Sequence, residues 1–277
     1  MRGMFWNSRG LSDLAKHKHV SDCVREHELD FVAISEAGKC DFRPHVLDHL
    51  SGGFDYTWHS LPARGRSGGI LLGILTTAMD LLAFSIGEFH IKFHLRNRAD
   101  NFTWTLVAVY GAAQDEHKSA FLRELVNLAK DNPHPMLIGG DFNILRYQEE
   151  KNNDRFDTHW PFLFNVVIDS LDLREASMSG RQFTWANNRS VPTYEKLDRV
   201  LMDTEWELKF PLVTVRALER IEALSDHAPI ILDSKSMNLA ARRPFKFELG
   251  WMHQEGFVDI IKNVWERPVV GRTPIQR

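Results

Sequence analysis

Met136-Leu137-Ile138-Gly139-Gly140-Asp141-Phe142-Asn143 is the stretch whose reading decides the fold. An unbroken apolar run closed by glycines predicts a short strand buried on both faces. A carboxylate and an amide, Asp141 and Asn143, arrive directly where the strand stops. A strand of this kind brings polar chemistry out of a core and presents it at the edge of a sheet.

The same arrangement recurs along the chain. Asn7 follows Phe5-Trp6, Glu36 follows the apolar strand Phe31-Val32-Ala33-Ile34, and Tyr110 ends an apolar run beginning at Phe102. Asp198 follows Lys196-Leu197, and Asp226-His227 stand just before Pro229-Ile230-Ile231. One polar strand end means little, because strand ends are commonly polar. Eight such groups, with four carboxylates and a histidine among them, are expected to converge on one edge. Hard oxygen ligands of this type suit Mg²⁺ or Mn²⁺, which keep several waters and take one or two carboxylates.

Around these strands the pattern predicts helices over 12–27 (started by Ser12 or Asp13, with Leu14, Val20 and Val24 on the apolar side), near 43–50, over 115–130 and around 160–170. Phe121, Leu122, Leu125 and Leu128 mark the apolar side of the third. Further strands are expected over Phe54–Trp58, Ile70–Ile74, Leu81–Phe93, Phe183–Trp185, Leu197–Met202, Val213–Arg216 and Pro229–Leu232. In the run around 90, Phe89, Ile91, Phe93 and Leu95 alternate as one covered face of a strand should. Many strands interleaved with a few helices imply an α/β fold of two packed sheets with helices outside.

Bulk properties narrow the function. The 277 residues suffice for one large domain, and 43% of them are hydrophobic and 26% charged. A net charge of −3 excludes a protein that holds nucleic acid by bulk positive charge, so polyanion contacts must come from local basic surface or bound cations. Cys23 and Cys40 form no zinc spacing and are expected to be reduced thiols. No apolar run reaches the roughly 18 residues of a membrane span. The N-terminus enters a strand pattern at once, which predicts an intracellular protein without a signal peptide or membrane association. No HExxH, Walker, GxSxG or kinase motif competes with the strand-end groups.

The ordered set WNSRGL (6–11), SE (35–36), SGG (67–69), VYG (109–111), GGDFN (139–143), LDR (197–199) and SDHAP (225–229) resembles the endonuclease/exonuclease/phosphatase superfamily over about residues 1–233. GRQFTW (180–185) and RRPFKFELGW (242–251) are similar to the endonuclease and following linker of plant non-LTR retrotransposons. The resemblance implies a DNase I-like four-layer sandwich, with two mainly antiparallel sheets flanked by helices. It implies a Mg²⁺- or Mn²⁺-dependent phosphodiesterase, most fittingly a nicking endonuclease of a retroelement acting on double-stranded DNA, with no obligate protein partner. Carried onto this sequence, Glu36 would bind the metal with Asp226 as a second ligand, and Asn7 would orient Glu36 or the phosphate. Asp141 would position or deprotonate the attacking water, and Asn143 would bond a non-bridging phosphate oxygen. His227 would contact the scissile phosphate, oriented by Asp198, and Tyr110 would touch the phosphate or help the leaving group. Arg9 stands where abasic-site repair enzymes of the superfamily usually carry an aspartate, which fits the retroelement branch better.

Arg64 and Arg66, in the loop Arg64–Gly69, are candidate substrate contacts, with solvated arginines in a flexible loop as the equal alternative. Residues 1–234 are expected to form the catalytic domain, and 235–277 a basic linker and partly helical tail. No YxDD-type reverse transcriptase signature is present, which points to an isolated endonuclease module or a truncated element. If the substrate is chromosomal DNA, the nucleus is the expected location. Two alternatives stay open: a same-fold hydrolase of RNA, a nucleotide or a phosphoinositide, and a non-catalytic remnant that serves as a binding module.

Overall fold

The computed structural model describes residues 1–38, 42–63, 68–130, 132–234 and 256–265. The chain separates into two compact units, Met1–Ser236 and Met237–Arg277. Its first half runs β1 (Arg2–Asn7), α1 (Leu14–His27), β2 (Phe31–Ser35), α2 (Pro44–Leu50), β3 (Tyr56–Leu61), β4 (Ile70–Leu75), β5 (Met79–Ile86), β6 (His90–Asn97), β7 (Thr103–Tyr110) and α3 (Asp115–Lys130). There follow β8 (Met136–Asp141), α4 (His159–Ser170), β9 (Arg174–Glu175), β10 (Met178–Ser179), β11 (Trp185–Ala186) and β12 (Tyr194–Glu195). The first unit closes with β13 (Asp198–Met202), α5 (Thr204–Lys209), β14 (Thr214–Ala217) and β15 (Ile230–Asp233). The second unit contributes α6 (Phe257–Trp265).

One sheet has the order β10-β14-β15-β1-β2-β4-β3, the other β5-β6-β7-β8-β13-β9, and β11 and β12 form a separate hairpin. Both large sheets are mixed and mainly antiparallel. The parallel pairs are β1·β2 and β10·β14 in the first and β7·β8 in the second. Period-two alternation sorts the side chains into layers. Phe5, Phe31, Leu106 and Leu137 point between the sheets, where Phe93 and Trp104 join them. Their neighbours Met4 and Val32 face the opposite way, onto Val20 and Val24 of α1 and Leu50 of α2. Val107 and Ile138 face Phe121 and Leu125 of α3 and Phe164 and Ile168 of α4. The layers are therefore helix, sheet, sheet, helix. No helix among the described residues is long and apolar enough to cross a membrane.

Several local expectations need correction. Asp13 caps α1 by accepting from the Ala15 N–H, but Leu14 is 71% exposed. It sits at the first turn, ahead of the stripe that meets the sheet. Phe54 lies outside β3 and is largely exposed. The run Leu81–Phe93 is a hairpin of β5 and β6 that turns at 87–89. Glu124 of α3 fixes that turn by accepting from the Glu88 and Phe89 N–H groups. A side chain on Gly87 would meet the same carboxylate at 2.3 Å. Phe89 precedes the strand, escapes its alternation, and packs edge-on against Phe121 outside the sheet. Of the strand expected over Phe183–Trp185, only Trp185 belongs to the two-residue β11.

Candidate active site

Strand direction and register bring the polar ends together. In the first sheet β1 and β2 run parallel with Asn7 opposite Ser35, so Asn7 and Glu36 emerge at one edge. β15 runs antiparallel to β1, which puts the residues before its start, Asp226 and His227, at that edge too. In the second sheet Tyr110 pairs with Asp141 on parallel β7 and β8, and Asp198 pairs with Asp141 on antiparallel β13.

Glycine lets the two edges meet. A Cβ on Gly139 would lie 2.4 Å from the Phe5 ring, so β8 and β1 approach closely only without one. Gly140 has φ +137°, and a side chain there would sit 2.2 Å from the Val109 carbonyl oxygen. Across this contact Asn7 Nδ2 donates to Asp141 Oδ2 at 2.8 Å and to Glu36 Oε1 at 3.2 Å, tying one sheet to the other.

Asp141 is buried and accepts from the Asn143 N–H at Oδ1 (2.9 Å) and from Asn143 Nδ2 at Oδ2 (3.2 Å). Asp198 Oδ2 lies 2.8 Å from His227 Nδ1, which leaves Nε2 turned toward Asp141 Oδ2 at 3.7 Å. Burial pushes the Asp141 carboxyl up to about 7, against the pull of the His227 charge. For His227, burial works against the charged ring, but Asp198 and Asp141 outweigh it and hold the imidazole up at about 9. Between those values the site contains a buried anion facing a buried cation. Tyr110 donates its hydroxyl to Glu36 Oε1 at 2.7 Å, and burial together with that carboxylate drives its ionisation far upward. Tyr110 is thus a neutral phenol that donates a hydrogen bond.

Three non-glycine residues at this edge adopt left-handed backbone: Arg9 (φ 50°), Glu36 (φ 47°) and Asn143 (φ 52°). Each costs of order 1 kcal/mol relative to ordinary backbone and persists because its neighbours fix it.

Glu36, Tyr110, Asn143, Asp226 and His227 all line one open cleft of about 630 Å³, with Asn7, Asp141 and Asp198 directly behind. Arg64 and Arg66 lie outside the described residues, as do Cys40 and RRPFKFELGW. Cys23 is buried and its thiol is pushed up to about 12 by that burial.

The structure adds supporting contacts, all but that of Arg9 made by residues that motif reading did not single out for a role. Thr184 Oγ1 accepts from the N–H groups of Leu197 and Asp198 and so fixes the start of β13. Ser225 Oγ donates to the Asn7 carbonyl and accepts from the His227 N–H. Trp6 Nε1 donates to the His227 carbonyl. Trp185 Nε1 and Arg9 Nη1 both donate to Asp226 Oδ2, at 3.1 and 2.8 Å. These contacts run through backbone atoms or between distant segments, so side-chain type alone gives no sign of them. GRQFTW, which contains Thr184 and Trp185, was the available signal.

The donor set fits a divalent cation. Four carboxylates (Glu36, Asp141, Asp198 and Asp226) face the Arg9 guanidinium and the His227 imidazole, while Lys118 and Glu195, which also line the cleft, are paired with Asp115 and Lys151; the excess is negative where an anionic substrate would have to approach. Both hydrogen bonds to Glu36 fall on Oε1, which leaves Oε2 for a ligand in the cleft. Asp141, Asp198 and His227 also bring ligand atoms within 4.8 Å of one another. Asn7, Asn143 and the Asp198–His227 bond already engage that trio, whereas Glu36 opens on the cleft.

Residues 4–227 match the family model described as Endonuclease/Exonuclease/phosphatase family. The chain belongs to this family. A search of curated proteins finds no match. Among solved structures, a 3′ phosphatase, NExo, from Neisseria bound to product DNA hairpin aligns with TM-score 0.68 and 16% identity, over 84% of this chain and 98% of that one. The endonuclease domain of TRAS1, a telomere-specific non-LTR retrotransposon, aligns with TM-score 0.62 and 15% identity, over 86% and 99%. A mannosyl-6-phosphatase from Bacteroides thetaiotaomicron aligns with TM-score 0.56 and 16% identity, over 84% and 98%. At these identities the likeness is one of fold, shared by nucleases and phosphatases alike, and it includes a non-LTR retrotransposon endonuclease, the class that the sequence motifs resemble.

Proposed function

We propose that the protein is a Mg²⁺- or Mn²⁺-dependent phosphodiesterase that nicks double-stranded DNA, as the endonuclease module of a retroelement. The observation that carries this reading is the buried Asp198–His227–Asp141 array directly behind the open cleft that His227 and Glu36 line. Asp141 takes a proton from the attacking water, whose oxygen forms the new bond to phosphorus as the bond to the leaving oxygen breaks; the leaving oxygen then takes a proton from solvent, and Asp141 returns its own to solvent. Asn143 Nδ2, held by the Gly111 carbonyl and more loosely by Asp141, exchanges its longer bond to Asp141 for one to a non-bridging oxygen. His227 presents Nε2–H to the phosphoryl group, and Asp198 holds the ring at Nδ1 and stabilises its charge. Glu36 would hold the cation, with Asp226 beside it as a second carboxylate already bonded by Arg9 and Trp185, while Asn7 and Tyr110 fix Glu36 by hydrogen bonds. When bound there, a divalent cation would supply positive charge against the phosphoryl and leaving oxygens.

DNA is favoured by the retrotransposon-like motifs and by neighbours described as a DNA-bound phosphatase and a retrotransposon endonuclease. Action on chromosomal DNA would place the protein in the nucleus. The test is supercoiled plasmid with Mg²⁺ set beside a sugar phosphomonoester. Open circles that vanish with chelator, and no phosphate from the monoester, are expected. Phosphate release from the monoester with intact plasmid would replace this reading by a phosphatase.

A further inference from the structure

Arg9 is a cleft residue held with unusual firmness for a side chain 64% exposed. Its N–H donates to Asn7 Oδ1, and the next residue's N–H donates to the Glu36 carbonyl at 2.7 Å. From α1, the Lys16 ammonium donates to the carbonyls of Ser8, Arg9 and Gly10 at 2.7, 3.1 and 2.9 Å. Three backbone acceptors on one cation hold the left-handed turn that aims Arg9 across the cleft. The guanidinium meets Asp226 Oδ2, which Trp185 also occupies. One of the two open carboxylates therefore already has a positive partner.

From this geometry we infer that Arg9 is a built-in cation that confines the cleft to a single divalent ion, held by Glu36. A second ion at Asp226 would have to displace the guanidinium or sit against its charge, and like charges at such range repel by kilocalories even in a partly wet site. The fixed charge also serves the substrate, since a guanidinium presents planar donors suited to phosphate oxygens. The site thus obtains part of its positive charge from the chain, without a second exchangeable ion.

The inference rests on the reading of Glu36 as the metal-holding residue, and Mn²⁺ titration without substrate, followed by electron paramagnetic resonance and calorimetry, separates the two. Wild type is expected to bind one Mn²⁺ per chain, and Glu36→Gln to lose it. Arg9→Gln is expected to gain a second ion, or to bind the first at least about tenfold tighter, from removal of one nearby charge. Arg9→Lys, which keeps the charge, is expected to stay within about threefold of wild type. If Glu36→Gln binds like wild type, the metal assignment fails. If Glu36→Gln loses the ion while Arg9→Gln keeps wild-type number and affinity, or Arg9→Lys behaves as Arg9→Gln does, the inference about Arg9 alone is overturned.

Discussion

Asp198 and Asp141 are direct partners in the antiparallel pairing of β13 with β8, yet only Asp198 bonds the His227 ring at Nδ1, while Asp141 faces Nε2 from 3.7 Å. The two carboxylates flank one imidazole from opposite sides. Asp198 orients the ring, and Asp141, held by Asn7 and Asn143 just behind the cleft, faces its other nitrogen. Different work for two neighbouring acids follows from which ring nitrogen each one faces.

That arrangement sets the pH dependence. Catalysis that needs Asp141 ionised and His227 charged rises as pH passes Asp141's value of about 7 and falls above His227's value of about 9. Asp198→Asn removes the nearest charge that raises the ring, so the falling limb should move to lower pH. A cation on Glu36 shifts both limbs downward, since it favours the carboxylate anion and opposes the imidazolium. Profiles of kcat/KM for wild type and Asp198→Asn decide this. An unmoved falling limb would remove His227 from the charged role.

Arg199, next in sequence to Asp198, is fully buried and bridges Glu150 and Glu175, bonding the carbonyls of Ile144 and Lys196 as well. Arg199→Ala leaves two buried carboxylates short of a partner and should cost about 3–5 kcal/mol. Burial opposes the Glu175 charge, but Arg199, Lys196 and Arg146 together hold its carboxyl down at about 2. A depressed carboxyl contributes stability above its usual range and loses it as pH falls toward 2. The difference in Tm between wild type and variant should therefore be wide at pH 7 and narrow on acidification. A constant difference would contradict the charge account.

How much of this was legible varies with the length scale of the interaction. Asn7, Glu36, Tyr110, Asp141 and His227 announce themselves because each stands at the end of a buried apolar run, and strand direction then dictates that they share an edge. The hairpin inside Leu81–Phe93 was hidden because its turn is fixed by Glu124, some 35 residues away in sequence. Arg199, Glu150, Glu175 and Lys196 read as ordinary surface charges until folding buries them together. Thr184 and Ser225 act on backbone N–H groups, which every residue has, so composition is silent about them.

Close packing at Gly139 gives a stability test. Gly139→Ala forces a methyl into the Phe5 ring and should destabilise by about 1–3 kcal/mol in urea unfolding. Phe5→Leu in the same chain should recover part of that loss, since the two sites are in contact and their effects do not add. Strict additivity would mean that the sheets are not held at this point.

Tyr110→Phe keeps the ring and removes one hydrogen bond to Glu36. A bond to a charged acceptor contributes about 1.5–3 kcal/mol, so activity at limiting metal should fall roughly ten- to a hundredfold, with Tm lowered by only a few degrees, about 2–4 °C per kcal/mol. Restoration by excess metal would place the defect in Glu36's hold on the ion. A loss that excess metal leaves untouched would assign Tyr110 to the substrate instead.

The central claim is that Asp141 activates the attacking water in a cleft completed by Glu36 and His227. Single-turnover cleavage of a labelled DNA duplex with saturating Mg²⁺, wild type beside Asp141→Asn, tests it most directly. Asp141→Asn is close in shape and should keep the fold and the binding of DNA, while the cleavage rate falls by about 10²–10⁴, the range for general acid–base groups. Cleavage at the wild-type rate by a folded Asp141→Asn protein would contradict the account.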